Sequence, residues 1–166
     1  FADGRRSGPF ALLAQPDHCA TLLVVRRTEL CCVPVDSRLY LRARNYGLRG
    51  LDVSHAGFSA KLSANPREAV RAATKRDVAL LYWTAASWAA ANSLSKDDPA
   101  LIGEIPQMEA LMDRALELEE SFDHGAIHTF LITYEMARQG ASGDPVERSR
   151  KHFDRATELS QGMQAG

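Results

Sequence analysis

The sequence has little of what usually identifies a disulfide-stabilised, metal-binding or nucleic-acid-binding protein. It contains three cysteines, Cys19, Cys31 and Cys32, all near its start. An odd number with two adjacent members predicts no disulfide framework, and neither a CxxC pair nor zinc-type spacing is present. Lys and Arg number 20 against 21 Asp and Glu, a net charge of -1. This balance argues against a basic nucleic-acid-binding protein.

Motifs of the common catalytic centres are missing as well. The sequence has no GxSxG elbow, no GxxxxGK[ST] phosphate loop and no GxGxxG dinucleotide loop. Serine, histidine and aspartate are present, but their spacing composes no catalytic centre. We therefore expect a protein that is not an enzyme, with no catalytic residues and no cofactor.

One segment alone is long enough to be considered as a membrane span. Residues 78–95 run for 18 residues without a charged side chain. The segment is rich in Ala, Ser, Thr and Asn and carries two Trp, which makes its transfer into lipid poor. We expect a central buried helix here.

What the sequence does contain is a series of helices after residue 35. Residues 1–35 show no regular period and stay an unassigned segment, which can be discontinuous, whereas residues 36–166 form a helical domain. Capping residues and prolines predict helices over about residues 36–50, 56–62, 66 onward, 78–94, 105–120, 125–138 and 145–160. No stretch after residue 35 alternates like a strand. The fold class is therefore all-α.

The first of these helices carries an apolar spacing and two glycines. Leu39, Ala43, Tyr46 and Gly50 recur at intervals of three and four residues, which predicts the face turned to the core. Gly47 and Gly50 weaken helix propensity, so we expect close backbone packing at these positions. The arginines around them are expected to be solvated, with their stems covering apolar surface.

A short internal repeat occurs in the second half. Residues 113–118 (DRALEL) recur as residues 154–159 (DRATEL), each at the end of a predicted helix. A small Ala beside Leu at such a place is typical of the second helix of a tetratricopeptide repeat. The usual period is about 34 residues, and the loop at 140–144 absorbs the excess. This predicts degenerate tetratricopeptide-like antiparallel helix pairs in an α-α superhelix.

The near-neutral charge hides an uneven distribution. Residues 1–76 carry 13 Lys and Arg against 6 Asp and Glu, whereas residues 77–166 carry 7 against 15. A basic half can meet the acidic half of a neighbouring copy in a cyclic ring. The split therefore favours self-association.

The uncharged segment offers the main candidate for a binding site. Tyr82, Trp83 and Trp88 lie on it, either as core residues or as aromatic walls of a cavity for an organic ligand. Asn92 favours a cavity slightly, because an amide on an apolar helix needs a partner or an opening to water. The Lys96-Asp97-Asp98 run that follows is expected to be a solvated turn.

Two histidines four residues apart form a weaker candidate. His124 and His128 can ligate one metal if both lie on one helix, with Glu135 two turns further on. The metalloprotease pattern needs Glu directly after the first His, and here Gly125 stands in that place. We expect His124 on the surface and His128 as a hydrogen-bonded packing residue, without a metal.

Longer strings point to a family. They are residues 39–51 (LYLRARNYGLRGL), 81–91 (LYWTAASWAAA), 93–99 (SLSKDDP), 112–118 (MDRALEL) and 123–128 (DHGAIH). In this order they resemble the TRAP transporter TatT component family, and the resemblance covers about residues 38–161. It implies a periplasmic lipoprotein of tetratricopeptide-like repeats that forms a homotrimer with a central pore and binds the solute-binding P component of a TRAP transporter. It implies membrane contact only through a lipid anchor, and no nucleic acid.

The resemblance also implies transport of an organic or hydrophobic ligand through an aromatic-lined pore. It carries over tentative ligand or pore positions and no catalytic or metal-binding residue: Tyr82, Trp83, Trp88, Asn92, Lys96, Asp97, His124 and His128. Two alternatives stay open. One is a tetratricopeptide scaffold for protein–protein interaction that binds a peptide, and the other is a metal-dependent hydrolase built on His124, His128 and Glu135.

Overall fold

A computed structural model describes residues 36–162. The unassigned segment 1–35, with its three cysteines, and the last four residues lie outside the described residues. Within residues 36–162 every regular element is a helix, which confirms the all-α prediction. The α-helices of this part are α1 (Ser37–Ser54), α2 (Phe58–Ala64), α3 (Pro66–Ala69), α4 (Val78–Leu94), α5 (Pro99–Gly103), α6 (Ile105–Leu118), α7 (Ala126–Tyr134) and α8 (Pro145–Ser160).

Short polar side chains fix the starts of four of these helices. The side chains of Asp36, Asn65, Asp98 and Asp144 each accept a hydrogen bond from a backbone N–H of the first turn that follows. Such a bond satisfies one of the donors that a helix leaves open at its N-terminus. After Asn65, Asp98 and Asp144 the next residue is proline, whose fixed φ suits the first helical position. The helix starts predicted near Asp36, Asn65 and Asp144 are confirmed.

Asp77 does not cap α4, although a short acidic side chain directly before a helix usually does so. Instead, its Oδ2 accepts hydrogen bonds from Thr74 N (2.8 Å) and Thr74 Oγ1 (2.9 Å) and lies 3.0 Å from His55 Nε2. Asp77 therefore closes the 3-10 turn before α4 and connects it to the end of α1.

Helices α1 and α4 pack antiparallel and very closely. A Cβ added to Gly47 would overlap Thr84 Oγ1, and one added to Gly50 would lie 2.9 Å from Leu80 Cδ2. At Gly47 only a residue without a side chain allows this approach, whereas at Gly50 a Cβ would press on the end of the flexible Leu80 side chain. The close packing predicted for the two glycines is confirmed.

The prediction of which face of α1 turns to the core is wrong: the buried residues lie one residue further along the sequence than predicted. Gly47 and Leu51 are buried, whereas Leu39, Ala43 and Tyr46 are exposed. The glycine contact with α4 sets the rotation of the helix, because the closest approach lies at Gly47. The larger side chains that share the Tyr46 face therefore point away from the core.

Helix α4 lies at the centre of the core, between α1 and α6. Its buried residues, which include Leu81 and Trp88, pack with Phe58 and Leu62 of α2 and with Leu111 of α6. No helix within residues 36–162 is both long and apolar enough to cross a membrane.

The last two helices form a second packed pair. Helix α7 lies against α8, and Gly125 approaches Leu159 before α7 begins. The two copies of the internal repeat fall at equivalent places, since residues 113–118 end α6 and residues 154–159 lie in the last turns of α8. Their alanines, Ala115 and Ala156, are both buried. The tetratricopeptide-like arrangement of these pairs stays a prediction.

Candidate functional site

The aromatic residues of α4 separate into an outer pair and an inner residue. Tyr82 is half-buried, and its ring meets Trp83 edge-on at 5.0 Å and Phe122 at 5.4 Å between ring centroids. Burial, followed by the negative charge of Asp123, raises the pKa of the Tyr82 phenol. Trp83 is 59% exposed. Together Tyr82 and Trp83, which we call the outer aromatic pair, offer an aromatic surface at the edge of the core.

Trp88 belongs to the core, and its only hydrogen-bond donor, the indole N–H, has a partner. It is 2% exposed, and its Nε1 donates a hydrogen bond to Glu104 Oε2 at 3.1 Å. The Arg44 guanidinium lies 4.7 Å from the ring centroid and donates to the same carboxylate oxygen at 2.6 Å. A stacked arginine and a shared carboxylate thus hold the indole between α1, α4 and the start of α6. Sequence reasoning missed this carboxylate, which is far from Trp88 along the chain.

Asn92 is the residue for which sequence reasoning required a partner or an opening. Its side-chain nitrogen and oxygen are both buried, and among the described residues neither has a hydrogen-bond partner. A buried amide without partners costs about 1–3 kcal/mol. Beyond it, Lys96 and Asp97 are exposed in the turn between α4 and α5, as expected of a solvated turn.

The two predicted histidines do not share a helical face. His124 is exposed and has a left-handed backbone (φ 55°), as does Asp123 (φ 44°), and α7 begins only at Ala126. His128 lies inside the helix and is buried. No group of three or more His, Cys, Asp and Glu within residues 36–162 is arranged to hold a metal ion. The hydrolase alternative therefore lacks a ligand set in this part of the chain.

His128 instead pairs with a histidine that the sequence did not indicate. Its Nδ1 lies 2.8 Å from Nδ1 of His152 on α8, so that one imidazole donates and the other accepts. On its far side, His128 Nε2 lies 3.5 Å from Glu120, which also accepts hydrogen bonds from Arg155. Burial lowers the pKa of both imidazoles, and for His152 the charge of His128 lowers it further. The pair connects α7 to α8 in its neutral form.

We expect this pair to make stability depend on pH. Because the folded-state pKa values lie below the ordinary 6.5, the unfolded chain binds more protons, and stability falls as pH falls through that value. At pH 7.5 His152→Leu should cost about 1 kcal/mol, the scale of one hydrogen bond. The difference from wild type should shrink towards pH 5. Urea unfolding at both pH values measures it.

The exposed His124 supplies the control for this experiment. His124→Gln replaces an exposed histidine outside the pair and leaves the contact between His128 and His152 in place, so it should keep the wild-type stability at pH 7.5. A His152→Leu difference that does not shrink in acid would show that the pair does not couple folding to protonation.

A groove of about 550 Å³ lies between α3 and α6. It is lined by four arginines and three carboxylates, most of which pair with one another. Arg114, for example, donates to Glu117 at 3.0 Å and to the Ala73 carbonyl at 3.1 Å, while its buried Nε has no partner among the described residues. None of the predicted site residues lines this groove.

The described residues therefore define an all-helical protein. Residues 36–166 match the family model described as TRAP transporter T-component, so the chain belongs to this family. The resemblance found in the sequence is confirmed. An uncharacterized protein of Treponema pallidum (strain Nichols) is 26% identical over 124 residues, or 72% of this chain. The chain spans 38% of that relative's length.

Proposed function

We propose that the protein is a non-enzymatic periplasmic accessory that binds the solute-binding P component of a TRAP transport system. The observation that carries this proposal is the family match over residues 36–166, which includes all of the described helices. We propose further that copies of the chain associate into a homotrimer and that a lipid anchor holds them at the membrane. The opposite charges of the two halves of the sequence support self-association.

We also propose that a small organic or hydrophobic ligand contacts the outer aromatic pair of α4. Tyr82 and the exposed Trp83 supply apolar area, and the buried amide of Asn92 has hydrogen-bonding capacity that no described residue uses. Lys96, Asp97 and His124 are exposed and stay proposed pore positions. Trp88 and His128 are buried, and we propose that they support the site from behind.

Multi-angle light scattering tests the proposed assembly. The protein should run as a trimer alone and should form a larger complex when mixed with the solute-binding protein of its own transport system. Self-association should weaken at higher salt, because screening reduces attraction between exposed charges. A salt-insensitive monomer that ignores the solute-binding protein would contradict the proposal and favour the tetratricopeptide scaffold.

Tryptophan fluorescence tests the ligand site separately. A medium-chain fatty acid, used as an apolar probe, should change the emission of wild type and of Trp88→Phe, because Trp83 reports the contact. Trp83→Phe should lose the response. If the emission responds to unrelated peptides and not to the fatty acid, the outer aromatic pair belongs to a peptide-binding scaffold.

A further inference from the structure

Helix α1 presents a regular exposed line of apolar and basic side chains. Leu39, Tyr46 and Val53 are 56%, 60% and 88% exposed, and they are spaced by seven residues. Arg42 and Arg49 are also exposed and fall three residues after Leu39 and Tyr46. On an α-helix, alternating steps of three and four residues place all five side chains on one side. We call this line the α1 seam.

The α1 seam lies away from the core of the described residues. Gly47 and Leu51, which are buried, turn the other side of α1 to α4. The helix has 18 residues and is therefore about 27 Å long. Apolar side chains repeated every seven residues along such a length are the pattern by which one helix packs along another.

The charge of the α1 seam is uncompensated within residues 36–162. Neither Arg42 nor Arg49 makes an ion pair with a carboxylate of this part of the chain. The Arg49 guanidinium lies 4.4 Å from the centroid of the Tyr46 ring, and the neighbouring Arg42 and Arg49 lower the pKa of the Tyr46 phenol. The carboxylate of Asp52 is already used by the N–H and hydroxyl of Ser59, at 2.9 and 2.6 Å. The seam is therefore both basic and partly apolar.

The middle of the seam has a shallow, open hollow. Its walls are Arg42, Asn45, Tyr46, Leu48 and Arg49, all on α1. A hollow bounded by side chains from successive turns can receive a single side chain from a facing helix, as in knobs-into-holes packing. Its two arginines would then meet carboxylates on either side of that side chain.

We propose that the α1 seam docks an acidic amphipathic helix of the solute-binding partner. The inference rests on the proposed function, since that function supplies the partner. Arg42 and Arg49 are about 10 Å apart along the helix axis, so a facing helix can oppose both with Asp or Glu seven residues apart. Apolar side chains between these carboxylates would cover Leu39, Tyr46 and Val53.

Charge reversal within the seam is the experiment. Arg42→Glu together with Arg49→Glu should weaken binding of the solute-binding protein roughly tenfold or more, because each new carboxylate faces another. The matched control is Arg67→Glu together with Arg76→Glu, which makes the same change of charge on exposed residues outside the seam. That control should keep the wild-type affinity. Isothermal titration at two salt concentrations measures all three proteins.

A second variant and a competitor test the apolar and helical parts of the inference. Tyr46→Ser leaves both arginines in place and should also weaken binding, because it removes the exposed aromatic wall of the hollow. A synthetic helical peptide with leucine and glutamate in a seven-residue repeat should compete with the partner. The same peptide with lysine in place of glutamate should not compete.

The outcomes separate this inference from the proposed function. If wild type binds and the seam double variant binds equally well, the seam is not the docking surface, while the proposed function stands. If wild type does not bind the solute-binding protein, the proposed function fails and this inference fails with it. If the seam variant alters only the oligomeric state, a second copy of the chain covers the seam and the inference is wrong.

Discussion

Glu135→Ala should lower the free energy of unfolding by about 3 kcal/mol or more, because it breaks a buried ion pair. Glu135 is 3% exposed. Its two carboxylate oxygens accept hydrogen bonds from Arg138 Nη1 at 3.0 Å and Arg148 Nε at 2.6 Å. Burial alone would raise the pKa of Glu135, but the hydrogen bonds from Arg148 and Arg138 outweigh it and lower the pKa, so the carboxylate is ionised at neutral pH.

The cost is large because Arg148 depends on this carboxylate for its position. Arg148 also donates to the carbonyl oxygens of Ser142 at 3.0 Å and Gly143 at 2.7 Å, which fixes the loop before α8. Without Glu135, a half-buried guanidinium keeps its charge and loses its counter-ion. Removing one partner of such a pair costs more than the pair contributes when intact.

Urea unfolding of Glu135→Ala at pH 7 measures this loss, and Glu158→Ala supplies the control. Glu158 makes a surface ion pair with Arg155, and its side chain is mostly exposed. Removing an exposed pair of this kind changes stability by at most about 1 kcal/mol. Equal losses in the two variants would show that burial does not decide the value of the Glu135 carboxylate.

The sequence predicted where helices begin because capping is a local event. Asp36, Asn65, Asp98 and Asp144 each bond to the turn that immediately follows, so a few neighbouring residues determine the outcome. The close packing at the two glycines of α1 could also be predicted, since their low helix propensity requires a compensating contact. The rotation of α1 about its axis could not be predicted, because it depends on the helix that these glycines contact.

The candidate sites depend on contacts that the sequence does not contain locally. His128 meets His152, and Trp88 shares Glu104 with Arg44, between residues on different helices. No spacing along one helix indicates such partners. The α1 seam was present in the sequence as the spacing of Leu39 and Tyr46, but spacing alone does not tell a core-facing line from an exposed one.

The two tryptophans of α4 should respond in opposite ways to truncation. Trp88→Ala should lower the free energy of unfolding by about 3–5 kcal/mol, since it removes a large side chain from a closed core. Trp83→Ala should change it by about 0.5 kcal/mol or less, as expected of a surface substitution. Urea unfolding of both variants, with circular dichroism as the signal, measures the difference.

Trp88→Phe divides the larger effect into its parts. It keeps most of the ring volume but removes the Nε1–H that donates to Glu104, so a loss of about 1 kcal/mol is expected from the hydrogen bond. Arg44 remains beside Glu104 and limits the loss of stability, because the carboxylate keeps its strongest donor.

A Trp88→Ala protein as stable as wild type would show that the indole lines an open cavity. A Trp83→Ala protein as unstable as Trp88→Ala would show that the outer aromatic pair is part of the core, which would remove the physical basis for a ligand contact there.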